Sequence, residues 1–360
     1  MIHSNTSFGK LKEVIVGREL NLDRRIMDIT FKYFYKESLG QDVYESPFDG
    51  YSINMESVLK RNNDLDGLAK TLESRGIKVY RPDPVNKVIQ FTTPTFKSEV
   101  TSANNVRDIT LVYNDKLIET PTYVRNRYFE NMSMYRIFNT AFDNGKGGQW
   151  IKAPNTQLTE RTIDLDDWQN PRDFNNIDPR FEMAIDGAQF LRIGKDVIVN
   201  VTTYNHYLGF QWIKSFFPDT DFHMISIADN HIDGALICLK PGVFLVDPKY
   251  AKVKDQLPDK FKNWKYLIPN EESLTKNIDV TGLTDIDIRL ASSRGMDINI
   301  LSIDENTCVI YNRAVCVKDI LERNGFETIC IPFDNGEIFA GGIHCSTLDL
   351  VREDEYIRYT

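Results

Sequence analysis

The stretch GGIHCSTLDL, residues 341–350, sets a histidine beside a cysteine near the end of the chain. Cys345 has the chemistry of a nucleophile, and His344 is the nearest base in sequence. Neighbouring side chains in a strand point to opposite faces. If IHCST is extended, His344 and Cys345 cannot meet, and the base must come from elsewhere. His3 is terminal, His206 lies in a helical run, and His223 alternates with Phe222 and Met224 in a strand pattern. His231 lies in ADNHIDGAL, among Asp and Asn residues just before a hairpin, which is loop chemistry. The plainer readings are a buried thiol for Cys345 and a turn or capping residue for His231. Gly341 and Gly342 read as positions that permit unusual backbone angles.

Two carboxylates stand in similar places. Asp186, in MAIDGAQFL, lies between apolar residues at the mouth of a strand, and it also reads as an N-cap. Asp108, in NNVRDITLV, has the same two readings, with Arg107 as a surface partner. The acidic run TIDLDDWQNPRD, residues 162–173, reads as a solvated loop. A Cys–His–Asp set is available, and spacing alone does not decide it.

The elements that would position these residues repeat. Apolar runs meet across short polar turns in LVYNDKLIET (111–120), FLRIGKDVIVNV (190–201), ICLKPGVFLVD (237–247) and ILSIDENTCVIY (300–311). Each predicts two strands joined by a tight turn. Helical patterns accompany several of them. YNHYLGFQWIKSFF spaces Leu208, Trp212 and Phe216 by four, RAVCVKDILERNG places Val317 and Leu321 on one face, and VLKRNNDLDGLAKTLESRG carries Leu65, Leu68 and Leu72. The last two end at Gly325 and Gly76, as C-caps do. Each helix leads into a further strand: IKVYRP, DFHMISI or ETICIPF. The unit is strand–strand–helix–strand. Such units bury their faces by packing side by side, and the tight hairpins argue against a doubly wound parallel sheet. A ring of small mixed sheets is the expectation. Residues Gly145 to Arg180 read as a long polar loop insertion. No linker divides the chain, so residues 1–360 are expected to form one domain.

Composition removes several function classes. The formal charge of −9 argues against nucleic acid or an anionic membrane as the main partner. No signal-peptide pattern and no membrane span is read. The five cysteines, odd in number and clustered from Cys238 onward, do not form a disulfide framework, which points to a reducing cytoplasm. Scattered histidines and the lack of a CxxC pair argue against structural zinc. DNGKGGQW lacks dinucleotide-fingerprint spacing.

The same residues, in the same order, resemble the arginine:glycine and arginine:inosamine-phosphate amidinotransferase family. The resemblance runs from FGKLKEVIVGR (8–18) through RGIKVYRPDPV, RDITLVYNDKLIETP with RNRYFENMSMYR, FLRIGKDVIV with YNHYLGFQWIKSFFP, HIDGALICLKPGVFLVDP and SSRGMDINILSIDE to GGIHCSTLDLVRED. It implies an α/β fold, a five-bladed αβ-propeller (the pentein fold) of ββαβ units around a central channel. It implies amidino transfer from L-arginine to a primary amine through a covalent amidino-cysteine, with ornithine released. The family nucleophile matches Cys345, its histidine His231 and its orienting carboxylate Asp186. The carboxylates on the substrate guanidinium match Asp108 and Asp233, and Ser292 and Ser293 match a serine pair in the same pocket. No cofactor or metal is implied. The expected partners are arginine and an amine acceptor, with a homodimer as the assembly.

Three positions depart from the family. Asn230, in a shortened loop, stands where the glycine-using animal enzyme has methionine before its histidine. Tyr250 falls where that enzyme has an arginine on a substrate carboxylate, with Lys249 adjacent. Gln189 departs at the end of the DGAQ motif. The first two point to an acceptor larger than glycine, such as a specialised-metabolite precursor. The alternative on the same fold is a deiminase-like guanidine hydrolase.

Overall fold

The computed structural model describes residues 2–19, 24–35, 39–45, 50–85, 87–142, 148–162, 174–175, 178–227, 231–274, 283–292 and 296–359, with backbone alone at residues 24, 25, 41, 44, 51, 52, 161 and 290–292.

Five three-stranded sheets share one plan: an antiparallel pair, then a parallel third strand reached through a helical crossover. One unit joins Thr110–Tyr113 to Lys116–Glu119, passes through helix Tyr135–Phe142, and closes with Gln149–Lys152. The next uses Phe190–Ile193, Asp196–Asn200, helix Tyr204–Lys214 and Asp221–Ile225. The third uses Leu236–Lys240 and Val243–Val246, crosses through the short helical segments Pro248–Gln256 and Asp259–Lys262, and closes with Lys265–Leu267. The fourth uses Leu301–Asp304, Thr307–Tyr311, helix Val315–Arg323 and Glu327–Ile331.

The fifth unit closes the ring. Its middle strand, Lys10–Val16, comes from one end of the chain and its first strand, Thr347–Glu353, from the other, with Val16 opposite Thr347. Helix Met55–Ser74 then leads to the parallel strand Lys78–Tyr80. This is the expected five-bladed αβ-propeller of ββαβ units, the pentein fold.

Strand position follows polarity. Thr110–Tyr113 and Phe190–Ile193 are buried at every residue, whereas Gln149–Lys152 and Lys78–Tyr80 contain no fully buried residue. First strands therefore line the centre and third strands the rim. The hairpin turns are two-residue loops, as at Gly194 and Lys195. Gly194 has φ +65°, and a Cβ there would lie 2.1 Å from the Ile357 carbonyl oxygen, so only glycine fits.

Apolar clusters fill the spaces between blades. Leu65, Leu68 and Leu72 of helix Met55–Ser74 pack with Val14, Val317 and Leu321, as their spacing predicts. Gly76 and Gly325 take positive φ just beyond their helices. Helix Tyr204–Lys214 differs from expectation by one step around its axis. His206, Gly209, Phe210 and Ile213 are its buried face, while Leu208 and Trp212 are half-buried. The segment read as one long loop contains the strand Gln149–Lys152, because Trp150 and Ile151 pair with Leu117 and Ile118. Of the acidic run 162–173, only Thr162 lies within the described residues. Among the described residues no helix is long and apolar enough to cross a membrane.

The centre is pinned by charge. Asp349, fully buried, accepts hydrogen bonds from Arg107 (2.7 Å), Arg192 (2.6 Å) and Arg352 (2.8 Å). Arg107 precedes the first strand of one blade, Arg192 lies in that of another, and Arg352 in that of a third. Burial opposes the charge of Asp349, but the three guanidinium groups hold its carboxyl well below the usual range.

Candidate active site

Each blade sets a polar residue just before its first strand. Cys345 precedes Thr347, Asp108 precedes Thr110, Asp233 precedes Leu236 and Asn299 precedes Leu301. Asp186 precedes Phe190 across the short turn Gly187–Gln189. First strands line the centre, so these residues are delivered to one end of it. Four of the five were candidates from sequence; Asn299 was not.

Cys345 does not lie in an extended segment. Ser346 N donates to Gly342 O (3.1 Å) and Thr347 N to His344 O (3.0 Å), so residues 342–347 form overlapping turns. The strand argument that turned His344 away from Cys345 therefore fails. His344 Nδ1 lies 2.7 Å from Asp233 Oδ2, and the Cys345 thiol donates to that same oxygen at 3.3 Å. The two glycines serve close approach rather than unusual φ. A Cβ on Gly341 would lie 1.8 Å from Asn105 Oδ1, and one on Gly342 would lie 2.3 Å from the Tyr311 hydroxyl. Neither glycine has a positive φ.

Asn299 holds this loop. Its Oδ1 accepts from His344 N (2.9 Å) and Cys345 N (3.1 Å), and its Nδ2 donates to Cys345 Sγ (3.2 Å). Arg61 holds it from another side, donating to Gly341 O (3.0 Å) and Ser346 Oγ (2.6 Å). Its guanidinium is fully buried over the Phe333 ring.

The histidine faces two carboxylates. His231 Nε2 lies 3.0 Å from Asp186 Oδ2, and its Nδ1 lies 3.7 Å from Asp108 Oδ1. Asp186 also keeps a turn role, because its N–H donates to Gln189 Oε1 (2.8 Å). Asp108 Oδ2 accepts from Arg127 Nη1 (2.8 Å), and Arg127 makes a forked pair with Glu130 at 2.6 and 2.9 Å. Arg107, read from sequence as a surface partner of Asp108, is buried and bonds His344 O and Asp349 instead.

Three buried carboxylate oxygens, one each on Asp108, Asp186 and Asp233, have no hydrogen-bond partner. Unpaired buried carboxylate oxygens are costly, and a planar cation with several N–H donors would satisfy them.

Charge follows from this geometry. Burial opposes protonation of His231, but Asp108 and then Asp186 overcome it and raise the imidazole to about 9. His231 is therefore an imidazolium at neutral pH. Burial, then Asp233 and Asp108, push the Cys345 thiol well up. Burial would raise Asp233, but its bond from His344 holds it at about 2. Burial and the Arg107 guanidinium push His344 down, so it is neutral and donates from Nδ1.

Other sequence candidates fall differently. Tyr250 is half-buried against the cluster containing Ile232, Val246 and Val253, with the Lys249 ammonium 5.0 Å from its ring centre. Ser292 ends the helix Asp285–Ser292, and its side chain is not described. Ser293 and Asn230 lie outside the described residues.

Known proteins share this arrangement of blades. No protein-family model matches the chain. It is 27% identical to the L-arginine:L-lysine amidinotransferase of Pseudomonas savastanoi pv. phaseolicola, over 86% of this chain and 83% of that protein. It is 28% identical to the mitochondrial glycine amidinotransferase of Gallus gallus, over 97% of this chain and 82% of that protein. The structure of SxtG, an amidinotransferase of the saxitoxin pathway from Microseira wollei, superposes with a TM-score of 0.81. It has 26% identity and covers 100% of this chain and 99% of that one. This is an enzyme of the amidinotransferase type.

In an amidinotransferase, the residues that the sequence did not single out have legible places. Asn299, Arg61 and His344 surround the cysteine loop, and Arg127 with Glu130 stands behind Asp108. Asn299 had a signal: INILSID repeats the pattern of RDITLVY, a polar residue just before an inner strand. Arg61 had none, because it lies in a helix 284 residues before Cys345.

Proposed function

We propose that the chain, as one catalytic domain, takes the amidino group of L-arginine onto Cys345 and passes it to a primary amine larger than glycine, releasing ornithine. One observation carries this reading: the Cys345 thiol hydrogen-bonds Asp233, His231 stands between Asp186 and Asp108, and each of these three carboxylates keeps an unpartnered oxygen.

Asp108 and Asp233 take the substrate guanidinium through charge-assisted hydrogen bonds that fix its plane. That cation offsets the two carboxylates that raise the thiol, so arginine binding promotes thiolate formation, with the thiol proton released to solvent. The sulfur forms a bond to the guanidinium carbon. The carbon–nitrogen bond to the ornithine Nδ breaks, and His231 gives its proton to that nitrogen. A cationic S-amidino-cysteine remains. The acceptor amine loses a proton to His231, attacks the same carbon, and expels the sulfur. Asp186 orients the imidazole and stabilises its charged form. Exclusion of water from the adduct separates transfer from hydrolysis.

Support for a larger acceptor is the aromatic Tyr250 at the position where a glycine-using enzyme carries an arginine. The lysine-using relative points the same way. An amine panel with arginine as donor tests this, using ornithine release and product mass as readouts and Cys345→Ser as the control. Lysine-like or larger amines should outcompete glycine. A clear preference for glycine would reject the acceptor assignment, and turnover by Cys345→Ser would reject the mechanism.

A further inference from the structure

Sulfur chemistry in this site faces a difficulty. Every acidic group close to Cys345 opposes a thiolate: Asp233 Oδ2 lies 3.3 Å from Sγ, and Asp108 adds to the negative field. The other titratable groups around the loop are the Tyr311 phenol, the neutral His344, and the Arg61 and Arg107 guanidiniums. Of all these, none donates a hydrogen bond to the sulfur. Among the described residues the side-chain donor to Sγ is Asn299 Nδ2, at 3.2 Å, and the Gly342 backbone also favours the thiolate.

The orientation of the Asn299 amide is fixed by its surroundings. Two backbone N–H groups, from His344 and Cys345, point at one end, which must therefore be the oxygen. The NH2 end is left facing Sγ and the Asp233 carbonyl oxygen, at 3.2 and 3.3 Å. The side chain is 1% exposed, so water does not compete for it. Its place in the ring is also regular. The other four blades put Cys345, Asp108, Asp186 and Asp233 at the mouths of their first strands, and the remaining blade puts Asn299 there.

We propose that Asn299 is a catalytic residue whose amide N–H stabilises the Cys345 thiolate, both as nucleophile and as leaving group, while its oxygen fixes the cysteine loop. A neutral donor suits both half-reactions. It strengthens its bond as charge develops on sulfur and relaxes when the S-amidino cation forms. A lysine in this place would compete with the substrate cation for Asp233.

The catalytic part of this statement rests on the amidino-transfer reading; the state of the sulfur does not. The test is therefore the pH profile of Cys345 alkylation by iodoacetamide without substrate, read on the Cys345 peptide, because Cys330 and Cys316 also label. Two folded variants separate the roles of the amide. Asn299→Asp keeps an oxygen for the two backbone N–H groups but has no donor. Asn299→Leu keeps shape, adds no charge and has no donor. The alkylation profile should move to higher pH by about one unit or more in both, a tenfold loss of labelling at a given pH. In both, kcat should fall about 10–100-fold, with KM for arginine nearly unchanged. A shift in Asn299→Asp alone would mean that the added charge, not the lost donor, acts, and would overturn the proposal. A shift in Asn299→Leu alone would reduce Asn299 to a loop clamp and overturn it equally. If the wild type forms no adduct with arginine while both variants still shift, the functional reading fails and the assignment of the sulfur donor stands.

Discussion

His344 and Cys345, adjacent in the chain, meet on a single atom: Asp233 Oδ2 accepts from the imidazole at 2.7 Å and from the thiol at 3.3 Å. The pair is joined by a carboxylate rather than by direct contact. Asp233 therefore has two opposed effects. It suppresses the thiolate when it stands alone, and it binds the guanidinium that relieves the suppression.

Those effects separate in Asp233→Asn. Loss of one buried carboxylate should lower kcat/KM for arginine about 30- to 4,000-fold, a loss of about 2–5 kcal/mol in transition-state stabilisation. Loss of its negative charge should at the same time move alkylation of the free Cys345 to lower pH. Steady-state kinetics and peptide alkylation check the two arms. Unchanged kinetics would remove Asp233 from the substrate site.

His231 sets an alkaline limit. Its pKa of about 9 means that the general acid is present below that pH and lost above it, so kcat/KM for arginine should fall as pH rises through about 9. In Asp186→Asn one supporting carboxylate is gone, so the limb should move to lower pH and kcat should drop about 10²–10⁴-fold. The same shift acts on stability. The folded value lies above the ordinary 6.5, so the contribution is full below pH 6.5 and is lost as pH rises through 9. A pH series of kinetics and of urea unfolding reads both.

Arg127 fixes which Asp108 oxygen faces the site, and Glu130 fixes Arg127. Glu130→Gln weakens that fork. KM for arginine should rise about 10–100-fold with kcat changed much less, because ground-state and transition-state holding of the guanidinium are lost alike. A fall in kcat alone would contradict this positioning role.

Much of the fold was legible before any coordinates. Turn chemistry and alternation gave the four hairpins, and leucine spacing gave the faces of helices Met55–Ser74 and Val315–Arg323. Helix Tyr204–Lys214 misled because large aromatic residues at its half-buried edge outweighed His206 and Gly209, which face the core. Strand Gln149–Lys152 was hidden in polar surroundings, since a rim strand carries little hydrophobic pattern. In the site, Asp108, Asp186, His231 and Cys345 could be picked out by residue type and position, whereas Asp233 came only with the family resemblance. The geometry of residues 342–347 could not. Strand alternation was applied to a loop whose turns are fixed by Asn299 and Arg61 from distant elements.

The ring itself depends on Asp349. Asp349→Asn would leave three buried guanidinium groups without their carboxylate, and removal of one partner from a buried pair costs about 3–5 kcal/mol. Denaturant unfolding should show a loss of that size. Arg192→Lys should cost less, since it keeps the charge. A loss below about 1 kcal/mol in Asp349→Asn would contradict a central role for this cluster.

The most direct test is a single-turnover reaction of the wild-type protein with L-arginine and no acceptor. Intact-protein and peptide mass spectrometry should find one amidino group on Cys345, with one equivalent of ornithine released and the adduct discharged on adding an amine. Continuous release of citrulline or urea, or a protein that gains no mass on Cys345, would contradict the account.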